Sequence, residues 1–186
     1  MKQDATLLLA VLLSLLCHSA LATNSPKNII MIVGDGMGPS YTTAYRMYAD
    51  DPSTPEVETT VFDRLLVGMA STHPDMDTGY VTDSAASATA LATGVKTYNG
   101  AIGVDTNKKP VQSVLQLAKK QGRKTGIAVT SQVNHATPAS FGTHNESRQN
   151  YDQIADSYFD EKTNGQFVLD VILGGGWKYF IREYGN

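Results

Sequence analysis

Residues 81–90 read VTDSAASATA, which places an acidic residue and a serine at the start of an alanine-rich segment. The alanines, together with the Gly94 that closes the segment, predict a helix over 84–93. The first amides of a helix are unpaired, and the helix dipole adds roughly half a positive charge there, so a helix start attracts anions. Ser84 is therefore a candidate nucleophile toward an anionic substrate such as phosphate. A serine that only caps the helix is the commoner alternative.

Strands and helices alternate on both sides of this helix. Near-continuous apolar runs predict buried strands over 28–33, 66–71, 124–130 and 167–173, and apolar spacing predicts helices over 41–50, 110–121 and 151–161. This alternation is typical of an α/β sandwich with a mostly parallel sheet. Functional groups of such folds lie at the carboxyl ends of strands, and Asp35, Thr137 and Gly174 each follow a predicted strand.

The first 22 residues have the composition of a secretory signal peptide. An apolar run over 7–16 precedes a small-x-small pattern at 20–22, and the run is shorter than the roughly 20 residues that span a bilayer. Cys17, the only cysteine, lies inside this segment, so the mature portion, 23–186, is expected to have no disulfide and no membrane span. We expect export, with the periplasm favoured. The net charge of −3 argues against general nucleic-acid or membrane-surface binding.

Three further residues are candidates for a site, each with a structural alternative. Asp35 lies between two glycines, which suits a metal ligand, although a turn aspartate that bonds its own backbone fits equally well. Thr137 precedes a proline and is expected to be extended, either at a site or in an ordinary loop. Arg148 is expected near a helix start, where it either binds an anion or is solvated.

A serine esterase remains an alternative from the residues alone. The nucleophile elbow of such enzymes reads G-x-S-x-G, whereas Ser84 lies in TDSAA. His73, His135 and His144 are nevertheless candidates for a catalytic base.

Taken together, these segments resemble the alkaline phosphatase family. The resemblance rests on NIIMIVGDGMG at 28–38, VTDSAASATA at 81–90, TGVKTYNGAIGVD at 93–105 and the glycines at 174–176. It implies a three-layer α/β/α sandwich with a mostly parallel sheet, incomplete in this chain. It also implies hydrolysis of small phosphate monoesters through a phosphoserine, release of inorganic phosphate, and a homodimer. Nucleic acid would be a partner only through terminal phosphates.

The resemblance also implies a role for each site residue. Ser84 matches the nucleophile, which also contacts zinc, and Arg148 matches the guanidinium that clamps two phosphate oxygens. Asp35 matches the carboxylate that bridges the second of two zinc ions and one magnesium ion. Thr137 matches a hydroxyl ligand of that magnesium, and His135 occupies a position near it.

The sequence departs from the family in the remaining metal ligands. Only three histidines lie in the mature portion, and none forms an Asp-His or His-Glu pair. We therefore expect the chain to be the N-terminal part of such an enzyme, with little or no activity alone and with an exposed sheet edge and apolar helix face. A non-catalytic or vestigial phosphate-binding protein is the alternative.

Overall fold

The computed structural model describes residues 26–181. The chain divides into two compact units, Met1–Gly34 and Asp35–Asn186. Every helix and strand named below belongs to the second unit, within 35–181. The expected signal peptide over 1–22 lies outside the described residues and stays a prediction.

Residues 35–181 form six α-helices, and one of them ends at the Gly94 that the sequence suggested. They are α1 (Pro39–Ala49), α2 (Val61–Leu65), α3 (Ser84–Thr93), α4 (Val114–Lys120), α5 (Ala136–Gly142) and α6 (Tyr151–Asp160). The predicted α3 and α6 are confirmed to within a residue. Helix α1 begins at Pro39. Proline lacks an N–H, and this costs nothing in the first turn of a helix, where the N–H groups have no partner within the helix. Helix α4, expected from residue 110, begins instead at Val114, because Ser113 and Gln116 form a capping box there.

The strands form two small sheets. Strand β1 (Gly126–Gln132) pairs in parallel with β4 (Val171–Gly175), with an irregularity between Ala128 and Gln132. Strands β2 (Lys162–Thr163) and β3 (Gln166–Phe167) form a short antiparallel hairpin. Its two-residue turn is Asn164-Gly165, both at positive φ, which is the sequence that such turns favour. The described residues thus combine helices with a small parallel sheet.

Two of the predicted strands are wrong. Residues 28–33, in the first unit, form no strand, and Ile29, Ile30 and Ile32 are exposed. Residues 66–71 also form none, and Val67 is fully exposed. A strand needs a neighbour for its N–H and C=O groups, and neither run has a paired segment among the residues described in its own unit.

The other two strand predictions need adjusted limits. The strand expected over 124–130 is β1, which is shifted two residues toward the carboxyl end. The strand expected over 167–173 is divided between β3 and β4 by the buried residues Val168 and Leu169. Gly174 lies inside β4 rather than after it. A Cβ there would lie 2.6 Å from Val129 Cγ2, which accounts for the glycine.

The hydrophobic core lies where α3, α5 and α6 meet. Ala85, Ala136 and Ala139 are at most 1% exposed, and Ile154 and Tyr158 fill the side toward α6. Alanines at a contact let two helix backbones approach closely. The alanine-rich sequence of α3 therefore brings its first turn close to that of α5, which carries Thr137.

No helix formed by residues 26–181 combines the length and the apolar character that crossing a bilayer requires.

Candidate active site

The carboxylate of Asp35 accepts hydrogen bonds from two hydroxyl groups. Ser84 Oγ donates to Oδ1 at 2.8 Å, and Thr137 Oγ1 donates to Oδ2 at 3.1 Å. The three residues are 49 and 102 positions apart in sequence, so this cluster depends on the tertiary fold. The structure therefore brings together three of the residues that the sequence singled out.

Ser84 is the first residue of α3, and Asp83 is the cap. Asp83 Oδ1 accepts from the N–H of Ala86 at 2.9 Å, which satisfies one of the unpaired amides of the first turn. Asp83, and not Ser84, is thus the residue that caps the helix. The Ser84 hydroxyl lies at the positive end of the helix and bonds outside it, to Asp35.

Thr137 lies in the first turn of α5, so the extended conformation expected before a proline is wrong. Helix α5 begins at Ala136, and Pro138 occupies its third position. Proline is accepted there because the first N–H groups of a helix have no intrahelical partner. The helical turn directs the Thr137 hydroxyl to Asp35.

Arg148 reaches the start of α3 through Asp83. Its Nη1 donates to Asp83 Oδ2 at 3.1 Å, and its side chain is 20% exposed. Arg148 precedes the α6 helix by three residues instead of lying at its start. The pair places a guanidinium beside the helix mouth that carries Ser84.

His135 lies two residues before Thr137, and its ring stacks on an aromatic side chain. The ring centroids of His135 and Tyr151 are 6.2 Å apart at 26°, and Tyr151 stacks in turn on Tyr179 at 5.4 Å. Its main chain caps α5, with the N–H of Ala139 bonded to the His135 carbonyl. The structure thus holds His135 beside the cluster without a hydrogen bond to Asp35.

The histidines proposed as a base for a serine esterase have other partners. His73 Nδ1 lies 2.8 Å from the carbonyl of Pro74. His144 bonds Glu161 through Nδ1 and the carbonyl of Val111 through Nε2. The hydrogen bond of Ser84 goes to a carboxylate, which does not favour the esterase alternative.

Sequence reasoning missed Asn99. Its Oδ1 accepts from the N–H of Asp83 at 2.9 Å, and its Nδ2 donates to the carbonyl of Val81 at 2.9 Å. The available signal was the Asn-Gly dipeptide at 99–100, which marks a turn but does not tell what the asparagine side chain holds.

The donors around Asp35 fit magnesium better than zinc. A carboxylate with two hydroxyls is an oxygen set, which Mg²⁺ accepts while it keeps several waters. A zinc site normally takes three or four protein ligands, with histidine or cysteine prominent. Residues 26–181 hold no group of three His, Cys, Asp or Glu side chains suited to a metal. The described residues therefore do not complete a zinc site.

The charge of the cluster favours a bound cation. Arg148 pairs with Asp83, whereas no lysine or arginine among the described residues forms a salt bridge with Asp35. A phosphate dianion near Ser84 would be repelled by the Asp35 carboxylate unless additional positive charge were present.

Comparison with known proteins gives a family match over nearly the whole chain. A family model described as alkaline phosphatase matches residues 26–185. Alkaline phosphatase 4 of Bacillus subtilis is 56% identical over 161 residues, which are 86% of this chain and 35% of that protein. The alkaline phosphatase of Escherichia coli K12 is 39% identical over 190 residues, covering 88% of this chain and 38% of that protein.

Solved structures agree with the sequence comparison. A cold-active alkaline phosphatase from a psychrophilic Shewanella species has a TM-score of 0.73 and 64% identity, over 81% of this chain and 36% of that one. The alkaline phosphatase of the Antarctic bacterium TAB5 has a TM-score of 0.69 and 35% identity, over 84% of this chain and 42% of that one. A histidine-to-aspartate variant of the TAB5 protein has Mg bound in its M3 site. The chain spans about a third of the length of these relatives.

Proposed function

Because the chain belongs to the alkaline phosphatase family, we propose that it supplies the nucleophile-bearing part of a metal-dependent phosphomonoesterase. The observation that carries the proposal is the cluster of Ser84, Asp35 and Thr137 at the start of α3. In the protein of family length, these residues would lie in a three-layer α/β/α sandwich that forms a homodimer.

Ser84 is the nucleophile. Its hydroxyl proton points to Asp35 Oδ1, which leaves the oxygen lone pairs turned away from that carboxylate. Attack forms a bond between Ser84 Oγ and phosphorus and breaks the bond between phosphorus and the ester oxygen. Ser84 loses its hydroxyl proton in this step and the ester oxygen gains one, so the net products are the phosphoserine and the alcohol. Water then hydrolyses the phosphoserine, which releases inorganic phosphate and restores the hydroxyl. Two easier steps thus replace one difficult step.

Arg148 and the helix start bind the phosphate oxygens. A guanidinium offers several N–H donors in a planar fork, so Arg148 can hold phosphate while Nη1 stays bonded to Asp83. The first amides of α3 face the same place. These groups orient phosphorus toward Ser84.

Asp35 and Thr137 would hold magnesium, and Asp35 with Ser84 would give zinc part of its ligands. When bound, the metals supply positive charge that favours a deprotonated nucleophile and an anionic leaving group. Two zinc ions and one magnesium ion for each site are proposed on the family relationship, with His135 near the magnesium. Small phosphate monoesters are the proposed substrates, because the described contacts select phosphate and not the alcohol. Export to the periplasm is part of the proposal and rests on the composition of residues 1–22.

The proposal is tested in a chimera of family length. Residues 26–186 replace the matching part of the Shewanella relative, and the purified protein is assayed with nitrophenyl phosphate, zinc and magnesium. We expect hydrolysis, together with a phosphoserine at Ser84 that mass spectrometry detects after acid quenching. Ser84→Ala should abolish both, whereas Ser157→Ala, a serine on α6 that bonds only its own helix, should change neither.

Three outcomes separate the alternatives. An inactive chimera without phosphoserine supports a non-catalytic phosphate-binding protein and overturns the proposal. Activity that survives chelators and is lost in His135→Ala supports a serine esterase. The 186-residue chain assayed alone should be inactive, because its described residues do not complete a zinc site; robust hydrolysis by it would contradict that part of the proposal.

A further inference from the structure

The side chain of Asn99 holds the main chain that leads into α3. It accepts from the N–H of Asp83 and donates to the carbonyl of Val81, both at 2.9 Å. The two groups belong to the residues on either side of Thr82, and Asp83 is the residue directly before Ser84. A primary amide that bonds two main-chain groups in this way fixes the direction in which the chain enters the helix.

The residues on either side of Asn99 hold the segment that carries Arg148. The Tyr98 hydroxyl donates to the carbonyl of Glu146 at 2.8 Å, and the carbonyl of Gly100 accepts from the N–H of Arg148 at 2.7 Å. Gly100 has a φ of 95°, a backbone conformation that residues with a side chain rarely adopt, so the turn depends on the glycine. Tyr98 and Gly100 thus bond the segment that carries Arg148, whereas Asn99 between them bonds the segment that leads to Ser84.

We propose that residues 98–100, which we call the 98–100 bracket, position Ser84 relative to Arg148. The bracket does not touch the substrate, and the inference rests on the proposed function of these two residues. The salt bridge between Arg148 and Asp83 is one link between the segments. The bracket is a second link, because it bonds main-chain groups of both segments, and it does not involve the guanidinium of Arg148.

The chimera described above gives the activity readout. Misplacement of reacting groups by about 1 Å lowers rates by about 100-fold, so we expect Asn99→Ala to lower kcat by about 10- to 100-fold. KM should change little, because the variant weakens stabilisation of the transition state and not binding of the substrate. Asn99→Asp keeps the acceptor for the Asp83 N–H but places a carboxylate oxygen against the carbonyl oxygen of Val81, so it should not recover the rate.

Two control variants distinguish positioning from general destabilisation. Asn107→Ala changes an exposed asparagine in a turn after the bracket and should leave kcat unchanged. Thr125 lies immediately before β1, and its buried hydroxyl donates to the carbonyl of Val168. Thr125→Val removes this hydroxyl. It should destabilise the protein without lowering kcat at a temperature where the protein stays folded.

Amide hydrogen exchange in the 186-residue chain tests the bracket without activity. Asn99→Ala should speed exchange at Arg148, whose own hydrogen bond it does not remove, and Tyr98→Phe should speed exchange at Asp83. Failure of the parent chimera to form phosphoserine refutes the proposed function but leaves this exchange result readable. The positioning role of the bracket is refuted if kcat of Asn99→Ala stays within about twofold of the parent, or if Thr125→Val lowers kcat as much as Asn99→Ala does. It is also refuted if Asn99→Ala leaves amide exchange at Arg148 unchanged.

Discussion

Thr89 is the buried hydroxyl on which the contact between α3 and the following loop depends. Its Oγ1 donates to the carbonyl of Ala101 at 3.0 Å and accepts from the N–H of Gly103 at 2.9 Å. It also lies 3.2 Å from Ser140 Oγ on α5, and Thr89 is 0% exposed. Thr89→Val keeps the shape of the side chain and removes only the hydroxyl, so the change isolates these hydrogen bonds.

The expected loss follows from the two main-chain groups left without their partner. A buried polar group that loses its partner costs about 1–3 kcal/mol, and the two together should lower the free energy of unfolding by about 2–4 kcal/mol. The free energy of unfolding of ordinary domains is about 5–15 kcal/mol, so this loss would be a large share of the total stability. With a urea dependence of about 2 kcal/mol per molar, the unfolding midpoint should fall by about 1–2 M.

Urea unfolding of the 186-residue chain, followed by far-UV circular dichroism, measures this loss. Thr93→Val is the matched control, because it is the same substitution one turn later on α3. Thr93 is only half-buried, and its hydroxyl donates to the carbonyl of Thr89, which is already engaged in the helix. It also accepts from the N–H of Val95 at 3.1 Å, and Val95 is half-buried as well, in contrast to the fully buried partners of Thr89. We expect a shift below about 1 kcal/mol for this control. Equal midpoints for the two variants would refute the reasoning that the buried partners of Thr89 matter.

Three other changes have defined outcomes. Tyr158→Phe removes the buried hydroxyl that donates to the carbonyl of Val133 at 2.6 Å, and it should lower the free energy of unfolding by about 1–2 kcal/mol; an unchanged urea midpoint would contradict this. Gly103→Ala should destabilise the chain more, because the new Cβ would lie 2.4 Å from the carbonyl oxygen of Thr143, and a thermal midpoint equal to that of the parent would show that the loop adapts. Burial opposes protonation of His144, but its hydrogen bond with Glu161 and the charge of that carboxylate outweigh burial and raise the pKa of His144 above 6.5. The stabilisation from this pair should therefore be complete below about pH 6.5 and be lost as the pH rises through the raised pKa, and urea midpoints measured in Glu161→Gln should lack that dependence on pH.

Local sequence signals predicted the helix that carries the candidate nucleophile. Alanines with high helix propensity and a closing glycine act within one segment, so α3 could be placed to the residue. Two strand predictions were wrong, at 28–33 and 66–71, because an apolar run does not show whether a partner strand is present. The apolar run at 28–33 indicates a tendency to be buried, but it contains no information on whether another strand pairs with it.

The site could be predicted only in part for the same reason. Asp35, Ser84 and Thr137 were singled out by strand ends, a helix start and a resemblance, and the structure brings them together. Asn99 could not be found, because its partners at Val81 and Asp83 are main-chain groups that any residue type would offer. Side-chain contacts with main chain leave little trace in a single sequence.

The wide sequence separation of the Asp35 hydrogen bonds has a consequence for the order of folding. They join residues 49 and 102 positions apart, and the Arg148–Asp83 salt bridge spans 65. Closing loops of this length costs entropy before any contact offsets it, so such contacts form late, after local helices. During synthesis, Ser84 and its helix exist long before Thr137 and Arg148 have left the ribosome. We therefore expect an assembled cluster around Asp35 to report completed folding and not the presence of α3 alone.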